Sequence, residues 1–108
     1  MARAVNIITG ATGGTYSVAS TDTAQGLATA KKYQSGSEGG RPASACLITC
    51  ETNSIRWAIG GTTATTSLGH LLEAGKAIRL TSWDEVNNFS FISATAGQHA
   101  TLMISVEF

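Results

Sequence analysis

Few side chains in this sequence could build a catalytic centre: two cysteines, Cys46 and Cys50, two histidines, His70 and His99, and seven carboxylates. Nucleophilic catalysis needs a cysteine or serine in reach of a base, and a third group to hold that base. Either cysteine with either histidine supplies the types, but no local motif joins them. Glu51, Glu73, Asp84, Glu85 and Glu107 are scattered, so no carboxylate pair is set up for acid–base work. Cys46 and Cys50 stand four apart in Ala45-Cys46-Leu47-Ile48-Thr49-Cys50-Glu51. On a strand they share a face about 13 Å apart, at roughly 3.3 Å per residue. A disulfide needs Cα atoms within about 7 Å, so no intrastrand bridge forms. On a helix they would be neighbours suited to zinc, but the flanking Leu, Ile and Thr favour a strand. Neither histidine has ligand spacing to them. The reading is two buried free thiols, with no catalytic, cofactor or metal residues expected.

A second stretch raises cofactor chemistry. Val5-Asn6-Ile7-Ile8-Thr9-Gly10-Ala11-Thr12-Gly13-Gly14-Thr15 feeds an apolar run into glycines, like the start of a short-chain dehydrogenase phosphate loop. Such a loop needs a third glycine, which is due at Tyr16, then a helix aimed at the pyrophosphate. The residues after Tyr16 have no helical stripe, and neither Tyr16 nor Tyr33 has a lysine four positions on. The segment reads instead as a strand and turn, with 1–15 a candidate extended N-terminal arm. Residues 60–70 are rich in glycine and hydroxyls but lack the Gly-Lys-Ser/Thr of a phosphate loop.

Composition narrows the function classes. The chain has 108 residues, seven basic and seven acidic, and 13% are charged. That suits one domain, 1–108, with no basic stripe for nucleic acid and no run long enough to cross a membrane. The start, Met1-Ala2-Arg3-Ala4, is too weak for a signal peptide. A near-neutral surface does not repel its own copies, which favours self-association.

The elements that would position these residues are strands. Cys46, Ile48 and Cys50 form one face of a first strand, and Ile55, Trp57 and Ile59 one face of a second. Asn53-Ser54 between them predicts a hairpin. Residues 60–70 read as a loop, Glu73-Ala74-Gly75-Lys76 as a tight turn, and Ile78 and Leu80 as inward positions. Ser82 with Glu85 three residues on is a capping-box pattern for one helical turn. Residues 89–93 form a strand and Thr95-Ala96-Gly97-Gln98 a turn. Ala100, Leu102, Ile104, Val106 and Phe108 alternate with polar partners in the clearest strand. Earlier in the chain, Val5–Ile8, Tyr16–Ala19 and 27–33 read as short strands, and 34–41 as a glycine loop. The sum is an all-β chain: a small antiparallel β-sandwich, jelly-roll-like, with at most one short helical turn near residues 83–87. Candidate subunit or partner contacts are the hydroxyls Thr62, Thr63, Thr65 and Thr66, the adjacent His70, and Trp83.

Glu51-Thr52, Ile55-Arg56-Trp57, Gly61-Thr62, Gly69-His70 and Gly75 are followed by Val86, Phe89, Phe91-Ile92, Ala100-Thr101-Leu102 and Ser105-Val106. Over roughly residues 45–108 this series resembles a group of small tailed-bacteriophage structural proteins. Two positions depart from that group: Gly60 stands where it has Asp, and Ala64 where it has Pro. The resemblance implies a non-enzymatic virion component, assembled in the bacterial host cytoplasm. With the neutral composition, the expected role is a capsid decoration or cement protein, trimeric, contacting its own copies and the major capsid protein. The alternatives are a collar, tail or baseplate component, or a lectin-like glycan-binding sandwich using the hydroxyl loop and Trp83.

Overall fold

The computed structural model describes residues 12–108. Its seven strands are β1 (Thr12–Ala19), β2 (Ala45–Glu51), β3 (Ile55–Ala58), β4 (His70–Leu72), β5 (Ala77–Leu80), β6 (Ser90–Ser93) and β7 (Thr101–Glu107). Two helical turns, α1 (Thr29–Lys32) and α2 (Trp83–Asn87), complete the elements. The strands form two antiparallel sheets, ordered β1-β7-β2-β5 and β4-β3-β6. This is the all-β sandwich that the alternation predicts. Cys46, Ile48, Cys50, Leu80, Leu102, Ile104 and Val106 from the first sheet meet Ile55, Leu72 and Phe91 from the second in one core. Apolar side chains at every second residue bury one face of each strand, and the two buried faces cover each other.

The glycines of the opening motif have a mechanical role. The β1–β7 register shifts between Thr12 and Thr15, and Gly14 there has φ +82°. Its left-handed backbone makes a β-bulge, where glycine costs least. Of the segment 1–15, Thr12 and Thr15 are therefore paired within the chain, to Glu107 and Ser105. The expected strand Val5–Ile8 and the rest of the candidate arm lie outside the described residues. Tyr16–Ala19 belongs to β1, as its alternation indicates.

Three expectations are corrected. β2 and β3 do not form a hairpin: β2 is flanked by β7 and β5, so both its edges are taken, and β3 joins the other sheet. The chain crosses between sheets at Thr52, which holds φ +62°, and the Cys50 thiol caps the corner by donating to the Asn53 carbonyl at 3.2 Å. Residues 27–33 are not a strand. Gln25 pairs with Phe91, Leu27 enters the core, and the chain then coils through α1 with Ala28 and Ala30 exposed. Lys32 Nζ ties that turn to Asn87 of α2. The fold thus has one helical turn more than expected. At α2 the cap is as read: Ser82 Oγ accepts the Glu85 N–H at 3.2 Å, while the Glu85 carboxylate accepts from Thr81 N at 2.8 Å.

Candidate functional site

The threonine loop is folded over the outer face of the second sheet. Ala64 is buried there against Ala58 and Ile92, a small cluster separate from the main core. The Ala64 N–H donates to Ser90 Oγ at 3.0 Å. Thr65 Oγ1 accepts from Ser67 N and Leu68 N at 3.2 and 2.9 Å, closing a compact turn. Gly69, at φ +135°, brings the loop back against β3; a Cβ there would sit 2.9 Å from the Trp57 carbonyl oxygen. That close approach delivers His70 onto the Trp57 ring, with centroids 4.8 Å apart. Thr62, Thr63, Thr65, Thr66 and His70 are all exposed. Thr62, Leu68, Gly69 and His70 line a shallow hollow of about 290 Å³ with Ala58 and Ile59.

Trp83 is not part of this surface. It sits on α2, packs partly against the main core, and makes a tilted contact with the Tyr33 ring at 5.2 Å between centroids. Five of the six expected contact residues therefore gather on one loop and strand. The sixth is spent on holding the two helical turns together.

The cysteines lie on the core face of β2, both buried and free. Burial pushes the Cys46 thiol up to about 12, and the Cys50 thiol up as well. A thiolate is the reactive form, so neither is poised as a nucleophile near neutral pH. Among the described residues no group of three or more His, Cys, Asp or Glu is placed to hold a metal ion, and no helix is long and apolar enough to cross a membrane.

One constellation escaped sequence reasoning. Ser93 Oγ lies 2.9 Å from His99 Nδ1, and Asp22 Oδ1 lies 3.9 Å from the same nitrogen. A hydrolase triad places serine and acid on opposite ring nitrogens; here both compete for one. Ser93 is also fully buried, closed to a substrate. Its hydroxyl bonds Ser20 Oγ at 2.7 Å, which accepts the Ala100 N–H at 2.8 Å. This chain of hydroxyls ties the end of β1 to β6 and to the entry of β7, bridging the two sheets. Ser20 and Ser93 are 73 positions apart, so no spacing rule could have paired them.

A larger hollow of about 350 Å³ lies beside β1, lined by Tyr16, Lys31, Tyr33, Gln34 and Phe108 among others. The Lys31 ammonium stands 5.0 Å above the Tyr16 ring, and burial holds the Tyr16 phenol up at about 12. The pair Arg79–Glu107 spans the first sheet's outer face, with Glu107 only 3% exposed and Arg79 partly open to water. Its polar position in the alternation gave no hint of that burial. No protein-family model, curated protein or solved structure matches this chain.

Proposed function

We propose that the chain is a non-enzymatic structural protein of a tailed-bacteriophage virion, acting as a capsid decoration or cement subunit. The observation that carries this reading is where the chain spends its polar chemistry. The thiols are sealed in the core, the serine–histidine network stitches the sheets, and the exposed apolar groups concentrate beside the threonine loop. Groups of that kind suit adhesion between subunits, where burying apolar area at roughly 25 cal/mol per Å² supplies the attraction. The resemblance over roughly residues 45–108 supports the same reading. Its matched residues include Ile55-Arg56-Trp57 on β3 and His70 on β4, which pair in the second sheet. Trp83, which a glycan-binding reading would use along with the threonine loop, packs against Tyr33.

Quantitative mass spectrometry of the purified particles encoded with this chain tests the proposal. Decoration expects a copy number comparable to that of the shell subunit. A few copies per particle assign it to a collar, tail or baseplate, and absence from the particle removes the virion reading altogether.

A further inference from the structure

Among the described residues, two large apolar side chains are exposed: Leu68 at 54% and Leu71 at 48%. Leu71 lies on β4 at the open edge of the second sheet, and Leu68 in the loop that leads into it. β4 ends that sheet and pairs with β3 on one side only. The opposite end is different: Gln25 and Phe91 exchange backbone hydrogen bonds at 2.9 Å outside β6. In the first sheet, β5 carries Arg79, which is held by Glu107, and the edge strand β1 exposes Thr15, Ser17 and Ala19. β4 joins unpaired backbone groups to exposed leucine, the combination that invites another strand.

We propose that β4 is a self-association edge. Two copies of the chain pair β4 to β4, antiparallel, across a two-fold axis at Leu71, and so join two three-stranded sheets into one. Pairing about that axis sets a register in which Leu71 faces the partner's Leu71, and Gly69 faces the partner's Glu73. Leu71 is the register partner of Arg56, on the outer face that Ile92 also occupies. Arg56 Nη1 donates to the Gly69 carbonyl at 3.3 Å, and its Nε is buried without a hydrogen-bond partner. The guanidinium therefore waits beside the position to which pairing brings the partner's Glu73. Glu73 is exposed and makes no ion pair among the described residues. The two-fold axis repeats this contact, so two Arg56–Glu73 pairs flank the opposed leucines. Each copy brings the charge that the other lacks, which is what a self-complementary contact requires.

The contact is small beside the ~800 Å² per partner of a standard stable complex. Isolated chains therefore dimerise weakly and with concentration, and many copies held on one surface would multiply the effect. A two-fold contact closes on two chains; a three-fold assembly uses another surface.

Sedimentation of the full chain over a wide concentration range is expected to show a monomer–dimer equilibrium. Leu71→Lys holds the chain monomeric with an unchanged circular dichroism spectrum, and Glu73→Arg weakens the dimer at least several-fold. Mild oxidation of Leu71→Cys yields a covalent dimer, because directly opposed residues of an antiparallel pair have Cα atoms about 4.5–5.5 Å apart, within the span of a disulfide. Thr66→Cys, exposed but off the edge, yields none, and neither does the parent chain with its buried thiols. A chain monomeric throughout, with no Leu71→Cys cross-link, overturns the proposal; so does an oligomer that Leu71→Lys leaves intact. These measurements read the contact in solution, whereas particle copy number reads the virion role, and either can fail without the other.

Discussion

The two sheets solve the same packing problem with different resources. In the first, β1, β2 and β7 run seven or eight residues, and long alternation buries one whole face. Its outer face carries an ion pair between buried Glu107 and half-buried Arg79 that closes on itself. In the second, no strand exceeds four residues. Its outer face is covered by a loop rather than by side chains of its own, through Ala64 on Ala58 and Ile92, and its β4 edge stays open. Short strands bury less area and pin register less firmly, so this sheet depends on the loop and leaves surface for a partner.

The sharpest way to break that contrast is to remove equal volume from each sheet. Ile104→Ala, in the centre of β7 and fully buried, is expected to cost about 4 kcal/mol in urea unfolding, near the upper range for such cavities. Ile92→Ala, in the small outer cluster, is expected to cost about half as much. Equal losses would show that the loop-covered cluster is as cooperative as the main core.

The ion pair tests whether the first sheet's outer face is self-contained. Arg79→Met leaves the Glu107 carboxylate buried and alone, and is expected to cost about 3 kcal/mol by the same unfolding assay. Glu107→Gln is milder, because Arg79 keeps access to water. If the two substitutions cost the same, the burial of Glu107 does not govern the pair.

Alkaline unfolding separates the sheets by chemistry. Cys46 belongs to the first sheet and its thiol is raised from 9.0 to about 12 by burial. Below pH 9 the thiol is neutral in folded and unfolded chains alike, and its contribution is complete. Between about 9 and about 12 the unfolded chain loses the proton first, so stability falls as pH rises, by at most about 1.4 kcal/mol per pH unit for one group. Urea midpoints at pH 8 and pH 10.5 should therefore diverge less in Cys46→Ala than in the parent chain.

The smallest effect sharpens the role of the loop. Ala64 is buried beneath the loop, and its N–H donates to Ser90 Oγ. Ala64→Pro removes that donor and is expected to cost about 1 kcal/mol. The same substitution in a Ser90→Ala background should cost less, since the bond is already gone. Undiminished loss in the double variant would place the cost in the backbone instead.

Much of this was legible before the fold. The alternation of β7, the Ser82 cap, the turn at residues 73–76 and the inward faces of Cys46, Ile48 and Cys50 all rest on local geometry. Side-chain period and capping chemistry are written in consecutive residues, so a single sequence displays them. The loop residues Thr62, Thr63, Thr65 and Thr66 were also readable as exposed, because glycines bound them and no period runs through them.

What the sequence determined by itself is which residues face inward and that the chain builds sheets rather than helices. Which strands become neighbours was decided only in three dimensions. β2 prefers β7, fifty or more residues on in register, to the β3 that follows it, because two flanking strands satisfy both of its edges. Long-range choices also placed Trp83 on Tyr33, buried Glu107 beside Arg79, and joined Ser20 to Ser93 and His99. Each depends on the free energy of a whole sheet pairing, which no local window contains. The open edge of β4 is of the same kind: it exists because the second sheet ends there, and only the assembled sandwich says so.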